Sequence, residues 1–169
     1  MTNNLFLNLS LWILNLLNVI GTFLPQLGLR VLLAWEFWEA GFKKFNGQNW
    51  FGSVKDNFPF PFHAIPVEVS WQMAMWFELI GSVALLIGLG TRFFTVSLMI
   101  LTIVAIASVH WPIEWNTWTE LFNGGYDVCN RDGGNFKIPV MYLVMFLPLL
   151  FSGPGKLSLD HLIWLRHKN

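Results

Sequence analysis

The sequence is poor in charged residues. Only 12% of its 169 residues are Asp, Glu, Lys or Arg, whereas 54% are hydrophobic. A soluble globular domain carries about twice that charged fraction, so the composition excludes an ordinary soluble domain and predicts a membrane protein. The ten basic and ten acidic residues balance. This lack of a positive excess gives no reason to expect nucleic acid as a partner.

Cysteine and N-terminal cations are also scarce. Cys129 is the only cysteine, so an internal disulfide is impossible and thiol chemistry that needs a resolving cysteine is disfavoured. No Lys or Arg precedes Arg30, so we expect no cleavable signal peptide. The sequence shows no recognised metal-ligand spacing, nucleophile–base motif or haem-binding motif. No metal site is predicted.

What the sequence does contain is a series of apolar runs long enough for helices. Proline and glycine separate these runs at Pro25, Pro66, Gly90 and Gly153. Because about 20 residues cross a bilayer, we predict an all-α membrane protein with an antiparallel four-helix transmembrane bundle over residues 27–156. The predicted spans are 27–45, 67–90, 92–111 and 138–151, and the last is short for a bilayer.

Two terminal segments are placed outside this bundle. Residues 1–26 carry Asn and Thr side chains on one helical stripe, which predicts an amphipathic helix in the membrane interface, with a fifth span as the alternative. Residues 157–169 are predicted to return along the surface. The aromatic loop 46–66 and a predicted surface helix over 111–122 both follow odd-numbered spans. Both are therefore expected to cover the same end of the bundle.

The most informative stretch is 30–46, which is apolar enough for a bilayer yet carries several charges. Ionisable groups at membrane depth are costly, so they usually face a bundle interior and mark function. A helical projection sorts this stretch into two stripes. One stripe is Arg30, Ala34, Phe37, Gly41 and Lys44, and the other is Glu36, Glu39 and Lys43. We expect other segments to cover both stripes, and Lys43 to pair with Glu39 at i,i+4.

Glu36, Glu78 and His110 are the candidate catalytic residues. Both glutamates are about ten residues from the same end of the bundle, which predicts a position near the midplane and a role as proton relay or quinone-linked carboxylate. Structural pairing with Arg30, Lys43 or an indole N–H is the alternative. Neither glutamate has a certain cation in its own helix, so we expect at least one of them to be protonated at neutral pH. We also expect Glu78→Gln to fold with a melting temperature near that of the wild type. His110 is placed to hydrogen-bond a quinone carbonyl.

Arg30, Arg92 and Trp111 are weaker candidates for binding a cofactor. Both arginines are expected at the end of the bundle to which Asp160 returns, either as an ion cluster that fastens the termini or as an anion or headgroup site. Thr91 is expected to cap the third span. Trp111 begins a stripe of tryptophans that is most simply interpreted as a membrane anchor.

Four motifs in this order resemble those of the DoxX family of bacterial four-helix membrane proteins. They are Arg30 with AGFKKF at 40–45, FELIG at 77–81, GTR at 90–92, and SGPGKLSLD at 152–160. The resemblance covers about residues 27–160. Within the family, the sequence is similar to a branch whose members are encoded beside makers of copper-binding modified peptides. The resemblance implies the fold and a multi-pass protein of the bacterial inner membrane. The family has no agreed catalytic residues, so none is carried over.

Three function classes remain open. The first is a redox-associated membrane subunit that passes electrons from a soluble partner to quinone, the one cofactor class considered. The second is a non-catalytic platform for a copper-handling or peptide-modifying complex. The third is a small transporter. In all three cases the protein has the lipid bilayer as a partner. The first two functions also need a soluble redox or peptide-maturation partner. A homo-oligomer is compatible with each function.

Overall fold

The computed structural model describes residues 2–112, 115–125 and 134–168, and within these ranges every regular element is helical. Cys129 lies outside the described residues. The helices are α1 (Thr2–Gly21), α2 (Leu24–Asn46), α3 (Val67–Ile87), α4 (Thr91–Ala105), which continues as a π-helix (Ile106–His110), α5 (Trp118–Gly124), α6 (Lys137–Ser152) and α7 (Leu159–Lys168). Three single 3₁₀ turns punctuate the loop between α2 and α3.

Three stretches of the described chain are long and apolar enough to cross a membrane. They are Leu7–Asn46, Val67–Ile87 and Thr91–His110. α6 has 16 residues, about 24 Å of helix, whereas the hydrocarbon core of a bilayer is about 30 Å thick. The prediction of an all-α membrane protein is confirmed for the described chain, and a fourth span stays a prediction.

Helices α2, α3, α4 and α6 pack around one apolar core. α2 packs on α3 and α6, and α4 packs on the opposite sides of the same two helices. The buried core residues are Leu33, Ala34, Phe37, Leu85, Leu98, Phe146 and Leu149. The three core residues of α2 include Ala34 and Phe37 from the Arg30 stripe, so that stripe faces the bundle interior as predicted.

Gly41 allows α2 and α3 to approach closely. A Cβ built on Gly41 would lie 2.9 Å from Leu79 Cγ and 3.1 Å from Glu78 Cβ. Both distances are shorter than normal van der Waals contacts between carbon atoms, so a larger residue would push the helices apart. The close approach also brings Lys44, one turn further along α2, next to Glu78.

The second stripe of α2 is covered only in part: Glu36 is half-buried, but the expectation was wrong for Glu39 and Lys43. The side chains of Glu39 and Lys43 are 54% and 73% exposed, and Lys43 Nζ lies 2.6 Å from Glu39 Oε1. The i,i+4 pair is therefore confirmed. Because the two charges partner each other on the outside of the helix, no other segment has to cover them.

The N-terminal segment is helical, but its boundary differs from the prediction. α1 ends at Gly21, a two-residue turn follows, and α2 begins at Leu24. Pro25 therefore lies in the first turn of α2 instead of between two helices. Proline is tolerated there because its missing N–H would have no partner within the helix. The interfacial position of residues 1–26 stays a prediction.

The predicted surface helix over 111–122 was placed too early. Residues 115–117 are not helical, and α5 begins at Trp118. The Glu120 backbone N–H donates to Thr117 Oγ1, and the Glu120 carboxylate accepts from the Thr117 backbone N–H. This capping box sets the start of α5, and the periodicity of the tryptophans did not reveal it.

Asp160 fastens the C-terminal segment to the point where α3 ends and α4 begins, here called the Asp160 end. Its carboxylate accepts hydrogen bonds from the backbone N–H of Gly90 (2.7 Å) and of Thr91 (2.9 Å). Thr91 is the first residue of α4 and makes no side-chain cap, so its predicted capping role was wrong. Asp160 supplies the cap from a distant part of the chain, which satisfies N–H groups that lack partners within the helix.

A close contact at Gly88 completes the Asp160 end. Gly88 ends α3 with φ +72°, a conformation that favours glycine, and a Cβ there would overlap Arg30 Nη1 and the Cβ of Ser158. The absence of a side chain leaves room for a guanidinium and for the C-terminal segment.

Candidate functional site

The structure brings the three candidate catalytic residues into one cavity. Glu36 on α2, Glu78 on α3 and His110 at the end of the π-helix all line a space of about 300 Å³. This volume is at the lower end of the range for small-molecule sites, about 300–1,000 Å³. The cavity lies at the end of the bundle opposite Asp160, which we call the loop end. Glu36 and Glu78 were predicted to lie at a similar depth, whereas a cavity that they share with His110 was not predicted.

Most of the cavity wall is apolar, and the loop between α2 and α3 forms part of it. Trp71 is buried beneath this loop, with its ring 6.0 Å from that of Trp50 and 5.0 Å from that of Phe51. The expectation that loop 46–66 covers this end of the bundle is confirmed, whereas α5 contributes no lining residue. The lining residues from the loop are Trp50, Phe51, Phe58, Phe62 and Ile65.

A buried ion pair forms one polar corner of the cavity. Lys44 Nζ lies 2.7 Å from Glu78 Oε2 and 2.9 Å from Glu78 Oε1, and the two side chains are only 14% and 10% exposed. Glu78 thus obtains from α2 the cation that its own helix lacks. Glu78→Gln is now expected to lose stability, because it would leave Lys44 without its counter-charge.

Lys44 is one residue of the polar corners that sequence reasoning missed. It was assigned to the interior stripe of α2, but no partner was proposed for it. A signal was present, since Gly41 precedes it by three residues and lies on the same helical face. A glycine beside a buried lysine marks the point where the neighbouring helix comes close enough to supply a carboxylate.

Tyr142 forms the second polar corner. Its hydroxyl donates a 2.6 Å hydrogen bond to Glu36 Oε2 across the interface of α6 and α2. The chain has two tyrosines, and this one interrupts the apolar run of α6, which was the available signal. Glu36 is half-buried and hydrogen-bonded to a neutral hydroxyl, whereas Glu78 is paired with a cation. The two glutamates therefore have different environments.

His110 forms the third polar corner. Its Nδ1 lies 2.5 Å from Asn135 Oδ1. Because the amide oxygen accepts, Nδ1 carries a proton, and Nε2 is left for another hydrogen-bond partner. The π-helix that ends at His110 has wider backbone turns than an α-helix, a feature that is frequent at functional sites. Asn135 was not singled out from the sequence.

A second, more open cavity meets the first at these polar corners. The two share Glu36, Lys44, His110 and Tyr142. The polar residues that only the second cavity adds are the exposed Glu39, Lys43 and Gln48 and the half-buried Asn135. The site thus has an apolar chamber behind the aromatic loop. The second cavity, here called the polar mouth, opens beside the exposed Lys43–Glu39 pair.

The weaker candidates lie elsewhere. Arg30 is 1% exposed at the Asp160 end, and its Nη2 donates to the Leu157 carbonyl at 2.7 Å. Arg92 Nη2 donates to the Phe151 carbonyl at 3.3 Å. Within the described chain neither arginine lies within 4 Å of the Asp160 carboxylate, so the predicted ion pairing is replaced by hydrogen bonds to backbone.

Trp111 also lies outside both cavities. It is 43% exposed, and its ring lies 5.2 Å from that of Phe136. The structure therefore does not bring it to the polar corners at Glu36, Glu78 and His110. Its role in cofactor binding and its role as a membrane anchor both stay predictions.

Long apolar helices around a core, with a buried ion pair and a cavity at one end, define a helical integral membrane protein. The DoxX family model matches residues 26–111, just over half of the chain. An uncharacterized protein of Haemophilus influenzae is 46% identical over 144 residues, which cover 85% of this chain and 86% of that protein. No solved structure matches the chain. The chain belongs to the DoxX family.

Proposed function

We propose that this protein is a redox-associated subunit of the bacterial inner membrane that binds a quinone-class ligand at the loop end and works with a soluble partner. The observation that supports this proposal most is the placement of three polar corners around one largely apolar cavity of about 300 Å³. A flat ring with hydrogen-bonding oxygens and an apolar tail matches that combination of walls and corners.

Each polar corner retains a hydrogen-bonding group for such a ligand. The ammonium of Lys44 has three N–H donors, and its two contacts with Glu78 leave one for a carbonyl oxygen. In the neutral form of His110, Nε2 is an acceptor for a hydroxyl proton. The Tyr142–Glu36 hydrogen bond lies on the wall shared with the polar mouth, where a proton can be held near water.

A bound quinone would supply reversible two-electron, two-proton chemistry. The protein's own contribution would be to exclude water from the ring through the aromatic loop and to hold protons at Glu36 and His110. The soluble partner would deliver electrons at the polar mouth, where Gln48 and Lys43 lie at the surface.

We also propose that α6 completes a four-span antiparallel bundle with α2, α3 and α4. Its support is that Phe146 and Leu149 are fully buried in the shared core, and a short span can be accommodated by local thinning of the bilayer. Cysteines introduced at Ser53 and at Lys156 in a Cys129→Ser background should react with a membrane-impermeant thiol reagent from opposite sides. Labelling from one side would contradict the proposal.

The ligand proposal is tested first by extraction of the protein purified in mild detergent, followed by mass spectrometry for quinone. A short-chain quinone is then titrated while tryptophan fluorescence is followed, because Trp50 lines the cavity. We expect saturable quenching. Ala105→Phe should weaken binding at least tenfold, because Ala105 lines the cavity and the larger ring would occupy it.

Ala107→Phe is the matched control. Ala107 lies in the π-helix, is exposed and lines neither cavity, so its variant should bind like the wild type. Equal quenching of both variants would contradict a quinone site in this cavity. A chain that loses quinone binding through Ala105→Phe but still complements a deletion strain would favour the platform function instead.

A further inference from the structure

We infer that the Asp160 end carries a binding site for the phosphate of an anionic phospholipid headgroup, in a pocket lined by Arg92, Lys156 and His161. The pocket lies between the start of α4, the Gly-Pro-Gly turn at 153–155 and the start of α7. It is at the opposite end of the bundle from the proposed quinone site. The inference does not depend on that proposal.

The turn before α7 shapes the pocket around Arg92. Gly153 has φ +79°, and a Cβ built there would lie 3.8 Å from Arg92 Nη2. The same Nη2 donates to the Phe151 carbonyl, which holds the guanidinium against the turn while other N–H groups remain available. A planar guanidinium with several donors suits the oxygens of a phosphate.

The charge of the pocket is not neutralised by its own carboxylate. Asp160 is the acidic residue of the lining, and its two oxygens each accept a backbone N–H, from Gly90 and Thr91. Among the described residues the ion pairs within 4 Å are Lys43–Glu39 and Lys44–Glu78, and both involve the other end of the bundle. Two cations, Arg92 and Lys156, stand against the one carboxylate of Asp160, so the lining has a formal charge of +1 that favours an anion.

The position of the pocket favours a lipid over free phosphate. Arg92 is the second residue of the candidate span Thr91–His110, so it lies where that span would leave the hydrocarbon core. Beside it, Leu162, Ile163 and Trp164 of α7 are 59%, 46% and 55% exposed. Exposed apolar and aromatic side chains next to cations are typical of a segment at the headgroup level of a membrane.

The test uses the full-length protein in nanodiscs of phosphatidylcholine with increasing phosphatidylglycerol. We expect phosphatidylglycerol to raise the melting temperature and to be retained on the protein in native mass spectrometry. Removal of one cation near an anionic membrane weakens the attraction about fivefold. The fraction of phosphatidylglycerol required for half the shift should therefore rise about fivefold in Lys156→Gln and further in Arg92→Gln.

Arg166→Gln is the matched control, because Arg166 is exposed on α7 but does not line the pocket. If Arg166→Gln weakens the response as much as Lys156→Gln, the effect is general surface charge and the site is refuted. Lys156 is exposed, so its variant keeps the test valid should Arg92→Gln fail to fold. Inorganic phosphate added to protein in detergent should give no comparable shift, and an equal shift would refute the lipid as the ligand.

Discussion

Two lysine–glutamate pairs involve adjacent lysines of α2. They have the same chemistry but differ in burial and in the helix that supplies the glutamate. Lys43 pairs with Glu39 of the same helix at 2.6 Å, with side chains 73% and 54% exposed. Lys44 pairs with Glu78 of α3 at 2.7 Å, with side chains 14% and 10% exposed. An exposed pair contributes little to stability, whereas removal of one partner from a buried pair leaves a charge without compensation.

The difference shows what makes a charged residue in an apolar helix informative. Lys43 and Lys44 are about 100° apart on the helix, and this rotation alone places one outside and the other against α3. The distance between the paired atoms is the same within 0.1 Å, so distance does not separate them. Burial separates them, and so does the fact that the second pair joins two helices beside a cavity.

The largest effect is expected for Lys44→Met. The substitution leaves Glu78 buried without its cation, which costs about 3–5 kcal/mol by analogy with other broken buried pairs. Thermal unfolding of the purified protein, followed by tryptophan fluorescence in detergent, should show a large fall in melting temperature or a loss of monodisperse protein. A melting temperature within one degree of wild type would show that Glu78 does not depend on Lys44.

A smaller loss is expected for Gly41→Ala. The added Cβ would contact Leu79 and Glu78 at about 3 Å, and overpacking of this kind costs about 1–3 kcal/mol. The matched control is Gly28→Ala in the same helix, where a Cβ meets nothing within 4 Å. There alanine should stabilise the helix by up to about 1 kcal/mol. Shifts of the same sign for both would contradict the role of Gly41.

The double variant Lys44→Met, Glu78→Leu is expected to melt close to the wild type. Replacement of a whole buried pair by apolar residues of similar size is often neutral or stabilising, because the desolvation penalty disappears together with the attraction. The comparison with Lys44→Met alone gives the coupling between the two residues. If the double variant is as unstable as the single one, the pair is not the reason for the instability.

Much of the fold was predictable from local patterns. The apolar runs and their interruptions at Pro66, Gly90 and Gly153 place the ends of the bundle helices within a few residues of those observed. The similar depth of Glu36 and Glu78 was predictable in outline, because the number of residues to the end of each span indicates which groups lie near each other. Each of these features can be inferred from the sequence of a single segment. The cavity that the two glutamates share with His110 was not predicted.

The remaining contacts depend on how one helix is rotated and shifted against another, which a projection of a single segment does not show. Tyr142 and Asn135 reach Glu36 and His110 from parts of the chain 106 and 25 residues away. The cap of α4 by Asp160 is of the same kind. The exposed Glu39 was misplaced for the opposite reason, since a local pair was enough to leave it outside the bundle.

Among the single substitutions of the two pairs, the smallest effect is expected for Lys43→Gln, which tests the exposed pair. An i,i+4 pair on a helix surface contributes about 0.3–0.5 kcal/mol, and salt screens it. The melting temperature should therefore fall by no more than a degree or two and by less in high salt, and Glu39→Gln should give the same result because it breaks the same contact. Both residues also line the polar mouth, so each variant should still bind a short-chain quinone if the apolar chamber holds the ring.

A loss of stability as large as that of Lys44→Met would mean that a partner of this chain, or another segment, covers Lys43 in the membrane. The pair would then belong to an interface, and exposure in the isolated chain would no longer distinguish the two pairs.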